Sequence, residues 1–355
     1  MSDRSQLGPL VRLWGISTQQ LPSTSEEAEE LAPFLVQILQ EAVPFIDSAA
    51  PKAGSPNKLW KSKGTKSHTD SAASVEVSER VVSAKDLSVV KARNDIPVKV
   101  DGEYWACRRS VHEDAAKKGT ASWEEFDKGF RLEHGETEKN FTPNVLGAHE
   151  AMRWNCAGVE ATEEETTWHN FSLLVEEMRH KVGRPVLKDR TFPVLQMTCQ
   201  AKGRHEFLVV SIPVPDFNDA ETSKLAKEKG AQIAFYVSVE RFRKLEDGKI
   251  EWVMATASDA AGVLPSWVQN MAMPGMVWKD VPLFLGWKAK AREGGGKETG
   301  SSTAAEARQE EPKSTTAADS GKVADVSGKT SETEALKATA TGDAATSTTG
   351  GGTKS

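Results

Sequence analysis

Residues 104–112, Tyr-Trp-Ala-Cys-Arg-Arg-Ser-Val-His, read as a strand in which Trp105, Cys107, Arg109 and Val111 share one face. A guanidinium turned inward with that set needs an acid, because an unpaired buried charge costs several kcal/mol. Arg109 is therefore the candidate anchor for a carboxylate or an acidic head group, or else the partner of a structural acid such as Glu176. Arg190 sits in the turn Asp189-Arg190-Thr191-Phe192, where it ties a loop to a sheet or reaches a ligand. His180 precedes the Gly183–Pro185 bend and reads as a local hydrogen-bonding residue.

Other chemistries find no footing. His112-Glu113 and His149-Glu150 each begin like HExxH, but the second histidine is missing. The 7 histidines are scattered and no cysteine stands at ligand spacing, so no metal site is expected. GxSxG, GxGxxG and GxxxxGK[ST] are absent, and the run Gly294-Gly295-Gly296-Lys297 is followed by Glu298. The acidic run Glu163–Glu165 reads as a solvated loop. Neither a catalytic set nor a cofactor is predicted.

These residues need elements to position them. From 75 onward strand signals dominate. Leu208, Val210, Ile212 and Val214 share a face; so do Ile233, Phe235, Val237 and Val239; so do Ile250, Trp252 and Met254. The runs 168–179 and 192–199 are also strand-like. Asp247-Gly248 predicts a hairpin between two of the strands, and Gly203 another. Sequential hairpins make an antiparallel sheet with one face on a core. Residues 25–47 read as a helix with Thr24 and Glu27 as its capping box; Ser122 and Glu125 cap a second carrying Trp123, Phe126 and Phe130. The last apolar run, from Leu264 through Trp267, Val268, Met271, Trp278 and Val281 to Leu285, follows helical steps broken by Pro274 and Pro282.

Composition sets the boundaries. The chain has 355 residues, 38% hydrophobic, with a net charge of −6, which argues against a general nucleic-acid binder. All 10 Trp, 12 Phe and 2 Tyr lie at or before Trp287. Residues 289–355 hold too little apolar surface to offset their ordering entropy and read as a disordered low-complexity tail. Residues 48–74 read as a polar linker, 1–47 as an N-terminal helical segment and 75–288 as the domain. The 3 cysteines, far apart, fit reduced thiols in the cytoplasm. No apolar run is long enough to span a membrane.

Two stretches carry a resemblance. Met178–Pro215, with the turn at Asp189–Phe192 and a second strand ending in Ser211-Ile212-Pro213, resembles the START lipid-transfer pattern. Asp259, Gly262, Pro265 and Trp267 are similar to the START entry into its C-terminal helix. The stretch 100–288 is similar to a fungal START-like family of unknown function. Its marks are Trp105–His112, Ser122–Phe126, His134 with Glu138 and Phe141, Glu177–His180 and Asp189–Leu195.

The resemblance implies an α+β helix-grip fold. A curved antiparallel sheet wraps the C-terminal helix and leaves an apolar cavity. The implied partner is a sterol, phospholipid or other hydrophobic small molecule, with transient membrane contact and no nucleic acid. The expected ligand-facing side chains from the sheet are Trp105, Val210, Phe235, Val237, Trp252 and Met254. Those from the helix are Leu264, Trp267, Val268 and Met271, with Arg109 and Arg190 as polar candidates. Two alternatives stand beside lipid binding. One is a helix-grip enzyme of aromatase/cyclase type, which needs a titrating pair in the cavity, such as His180 or His112 with a carboxylate. The other is a protein-interaction module whose cavity is filled by its own side chains.

Overall fold

A computed structural model describes residues 7–50, 59–94, 102–181, 188–259 and 273–295. Among them one sheet of eleven strands dominates. In chain order these are β1 Lys61–His68, β2 Ser71–Val82, β3 Glu103–His112, β4 Val145–Trp154, β5 Ala161–Glu163 and β6 Thr166–His180. The rest are β7 Arg190–Ala201, β8 Glu206–Pro213, β9 Gln232–Ile233, β10 Phe235–Lys244 and β11 Ile250–Asp259. The spatial order is β1-β2-β3-β11-β10-β8-β7-β6-β4, with β5 on β6 and β9 on β7. Every pairing is antiparallel except β7 with β9. Gly248 (φ 80°) and Gly203 (φ 76°) occupy the left-handed region in the hairpins where glycine was expected.

Alternation along the strands gives the sheet two distinct faces. The outer face carries Trp105, Cys107, Val210, Ile212, Val237, Val239, Val253 and Ala255. Helix α1, Ala28–Ala49, covers it with Leu31, Leu35, Ile38, Leu39, Phe45 and Ile46. Both Pro33 and Pro44 lie inside that helix, and its N-cap is Glu27, with Glu30 completing the capping box. The segment before α1 is bolted down as well. Glu103 accepts from Arg12 Nη1 at 2.9 Å, from the Leu13 amide at 2.7 Å and from Trp105 Nε1 at 2.9 Å. The Ile16 amide donates to the Pro213 carbonyl at 2.9 Å.

The inner face meets the other helices. These are α2 Ala84–Asn94, at the rim; α3 Trp123–Phe126, running into a π-helical turn Asp127–Leu132; α4 His134–Phe141; and α5 Asp280–Gly295. Ser122 caps α3 as the sequence suggested, accepting from the Glu125 amide. Phe126, Phe130, Phe141, Phe207, Phe242, Trp252 and Phe284 pack into one aromatic cluster between this helical layer and the sheet. Gly129 packs closely there: a Cβ on it would crowd the Phe284 ring and the Thr137 methyl, each at 3.3 Å. A curved antiparallel sheet with a C-terminal helix on its inner face is the expected START-like helix-grip architecture.

Three boundaries are corrected. The span 48–74 is not simply a linker, because β1 and the start of β2 lie in it. Every residue of β1 is exposed, and Lys61, Lys63 and Lys66 face solvent. A sheet-edge strand of this kind has no apolar alternation to betray it, and edge lysines oppose further strand pairing. The N-terminal segment is part of the domain's core rather than an appendage. The C-terminal helix runs past 288 to Gly295, where Arg292 donates Nε to Glu125 Oε1 at 2.8 Å and Nη1 to the Lys117 carbonyl at 2.8 Å.

Candidate ligand site between the sheet and the C-terminal helix

The outer face of the two central strands β10 and β11 is sealed, with Val237, Val239, Val253, Ala255 and Ala257 all at 0% exposure. Their inner-face neighbours Tyr236, Ser238, Met254, Thr256 and Ser258 are only half-buried. Strands in the middle of a sheet cannot differ so much between faces unless the inner face fronts space. Ser258 and Met273 meet across one end of it, with Oγ 3.5 Å from the sulfur. The aromatic cluster closes the other end.

A polar group sits on that aromatic floor. Arg108 on β3 is 2% exposed and lies over the Trp252 ring, 4.1 Å from its centroid. Arg108 Nη2 donates to Glu240 Oε1 at 3.0 Å, and its Nε is 3.6 Å from Asp280 Oδ2 at the start of α5. Trp252 Nε1 donates to the same Glu240 oxygen at 2.6 Å. Arg108 Nη1 is buried and has no hydrogen-bond partner. From α4, His134 Nδ1 accepts from Gln196 Nε2 at 3.0 Å and lies 3.8 Å from Glu138 Oε2. Glu176 on β6 packs its carboxyl against the α4 backbone, where a Cβ on Gly135 would overlap it at 1.9 Å.

Burial sets the protonation of this group. It pushes Glu138 up to about 8, and the neighbouring Asp280, Glu176 and Glu240 push in the same direction. It raises Glu176 to about 7, with Glu150 adding to the rise and Arg153 opposing it. Glu240 and Asp280 are also raised by burial, against the pull of Arg108. Burial lowers His134 and His180 to about 4 each, so both imidazoles are neutral near pH 7. His112, lowered to about 4 by burial and then Arg108, bonds Ser110 Oγ at 2.8 Å.

Glu138 and Asp280 are desolvated as only groups deep in the protein are. Yet 25% and 35% of their side chains are accessible to a water-sized sphere. The two facts are compatible when both side chains border an internal space. The arrangement offers an apolar and small-polar wall, an aromatic floor, one guanidinium with a free donor, and carboxyls that can donate or accept.

Trp252 and Met254 lie on this inner face. Trp105, Val210 and Val237 lie on the opposite face under α1, and Phe235, two residues before Val237, shares that face by alternation. The physical reason is that both faces of these strands are apolar, so periodicity groups residues by face without saying which face meets the helix. Arg109 shares the Trp105 face, as alternation required, but that face is not the ligand side. Its Nε donates to Glu251 Oε1 at 2.7 Å and its Nη1 to Glu76 Oε2 at 3.3 Å. Arg190 is buried at the start of β7, opposite His180 in register, and donates Nη1 to the Lys188 carbonyl. Leu264, Trp267, Val268 and Met271 lie outside the described residues. Arg108, Glu138, Glu176, Glu240 and Asp280 were missed. The signal for Arg108 was present: it alternates with Arg109 in one strand, so one of the two had to point inward.

The sheet and its C-terminal helix place the chain in the helix-grip α+β fold class. Residues 105–288 match the family described as a protein of unknown function, DUF3074, and the chain belongs to that family. No curated protein matches it. Among solved structures it is similar to human STARD10, at 13% identity over 73% of this chain and 82% of that one, with a TM-score of 0.47. It is similar also to the human StAR-related lipid transfer protein 5, at 14% identity over 75% and 99%, TM-score 0.45. A third is the human StarD13 lipid transfer and protein localization domain, at 13% over 70% and 95%, TM-score 0.39.

Proposed function

We propose that this protein binds a hydrophobic small molecule of lipid type between the inner face of its sheet and its C-terminal helix. The observation that carries the reading is the half-buried inner lining of β10 and β11 beside enclosed yet accessible carboxyls. Ligand sites combine a mostly apolar wall with a few placed polar groups. Here the apolar tail lies along Met254, Tyr236 and the small side chains of β10 and β11. The polar end reaches Arg108, Glu138 and Asp280. The sequence resemblance to START domains supports the same class of ligand, a sterol or phospholipid among them.

The test is native mass spectrometry of the full chain purified from cells, followed by solvent extraction and identification of what comes off. A bound lipid, and its displacement by a fluorescent lipid analogue, is the expected result. Ser238→Trp, which fills the lining from a central strand, abolishes uptake while leaving the fold intact. An empty protein that also fails to take up lipid from vesicles overturns the reading.

A catalytic reading has one observation in its favour. His134 and Glu138 form a titratable pair in the interior, from the same turn of α4. The mass of the extracted ligand after prolonged incubation separates the two readings. Carriage leaves that mass unchanged, whereas catalysis alters it in the native chain and leaves it unaltered in Glu138→Gln.

A further inference from the structure

Carboxyls outnumber cations in the interior. Glu138, Glu176, Glu240 and Asp280 act on one another there, and Arg108 is the cation in contact with two of them. The charges that act on Glu138 come from Asp280, Glu176 and Glu240, all acids. His134, its nearest basic neighbour at 3.8 Å, is held neutral by burial. An anionic head group placed here finds Arg108, the cation in contact with the group, already shared by Glu240 and Asp280.

One donor in the same group is also unserved. Arg108 is 2% exposed, two of its nitrogens face Glu240 and Asp280, and among the described residues Nη1 is buried without a hydrogen-bond partner. Leaving a buried donor unpaired is costly, so an occupant that brings an oxygen acceptor gains by supplying one. A single ligand serves both needs when a positive nitrogen faces Glu138 and Asp280 while a nearby oxygen accepts from Arg108.

We infer that the polar end of the ligand is a cationic nitrogen with an oxygen acceptor a few bonds away, as in a long-chain amino alcohol. This rests on the reading that the interior binds a hydrophobic ligand. The nitrogen pairs with the Glu138 carboxylate and lies near Asp280. The oxygen takes the free Arg108 Nη1–H. The alkyl chain runs away from the aromatic floor along β10 and β11.

The experiment compares four C18 compounds by displacement of a fluorescent lipid analogue from the full chain: octadecanoic acid, octadecanol, octadecylamine and the 2-amino-1,3-diol sphinganine. The expected order is sphinganine first, octadecylamine and octadecanol behind it, and the acid weakest. Sphinganine binds about tenfold better than octadecanol, the scale of one hydrogen bond to a charged group. Glu138→Gln lowers the binding of both amines by a larger factor than that of octadecanol, so the amine-to-alcohol ratio is the readout. Since Arg108 also holds the fold together, its half of the inference is read from sphinganine against octadecylamine rather than from a variant. Equal binding of the acid and the amines overturns the inference while upholding ligand binding. Displacement by none of the four, with no uptake of the fluorescent analogue either, overturns the binding reading itself.

Discussion

Arg108 lies over Trp252, 4.1 Å from the ring centroid, and the two side chains donate to the same oxygen of Glu240, at 3.0 and 2.6 Å. The pair joins β3, β10 and β11 on the inner face and, through Asp280, the start of α5. A cation over a tryptophan face in a dry setting contributes about 2 kcal/mol in addition to its ion pairs. The polar floor of the interior is therefore a structural clamp.

Removing Arg108 leaves Glu240 buried without its cation. Breaking one side of a buried pair typically costs about 3–5 kcal/mol. Arg108→Met is expected to lower unfolding stability by that amount in urea titrations. Arg109→Met is the control. Arg109 is half-buried, and Arg243 still holds Glu251 with Nε 2.6 Å from Oε2. Its loss is expected to cost about 1 kcal/mol or less. Equal losses at the two positions would contradict this assignment of faces.

Phe130 ties the helical layer to the sheet. Its ring lies 4.8 Å from Trp252 and from Phe284, and 4.9 Å from Phe242. Phe130→Ala is expected to destabilise by about 3–5 kcal/mol, the usual range for a buried aromatic truncation. Thermal melting should show the loss, and near-ultraviolet circular dichroism of the Trp252 surroundings should weaken with it.

The strands, the hairpin at Gly248 and the Ser122 cap were legible because local pattern and turn chemistry specify them, whereas the helix-grip class was implied by the START resemblance. The site was legible only in part. Trp252 and Met254 fall on the inner face, whereas Trp105, Val210 and Val237 fall under α1. Alternation fixes partners on a face but not which layer covers it, and here both layers are apolar. Glu138, Glu240 and Asp280 come from three distant segments that meet only in the fold. Strand β1, uniformly exposed, carries no period to read.

Glu138 makes stability depend on pH. Its carboxyl rises from an ordinary 4.5 to about 8 on folding. Between those values the native state holds a proton that the unfolded chain has released. Stability from this group is therefore full below about 4.5 and falls as pH rises through 8. His134 acts in the other direction, because its fall from 6.5 to about 4 removes stability as pH drops through that window. Glu138→Gln is expected to make the alkaline limb between pH 5 and 9 shallower, with the raised Glu176 keeping part of it, and to leave the acid limb in place. Urea midpoints across that range read both limbs; an alkaline limb unchanged in the variant would contradict the raised carboxyl.

Arg292 staples the end of α5 to the α3 region, bonding Glu125 Oε1 at 2.8 Å, the Lys117 carbonyl at 2.8 Å and the Thr120 carbonyl at 3.2 Å. Ending the chain after Lys288 removes all three contacts, whereas ending it after Gly295 keeps them. The shorter form is expected to lose about 1.5–3 kcal/mol relative to the longer, the scale of hydrogen bonds to a charged group. Arg292→Ala in the full chain should reproduce most of that difference in its melting temperature.

A fragment beginning at residue 75 tests whether the N-terminal segment belongs to the domain. It lacks β1 and the whole of α1, and so exposes Trp105, Val210, Val239 and Ala255 on the outer face. It also removes Arg12 and Leu13, leaving the buried Glu103 with Trp105 Nε1 as its remaining hydrogen-bond donor among those named above. An apolar face of that breadth does not stay in water. The fragment is expected to be insoluble or to bind a hydrophobic dye strongly, whereas a chain beginning at Leu7 melts cooperatively. Co-expression of residues 7–50 as a separate piece should restore solubility, because the face of α1 matches the outer face of the sheet. A soluble, cooperatively melting 75–288 fragment would show instead that the sheet and the inner helices suffice.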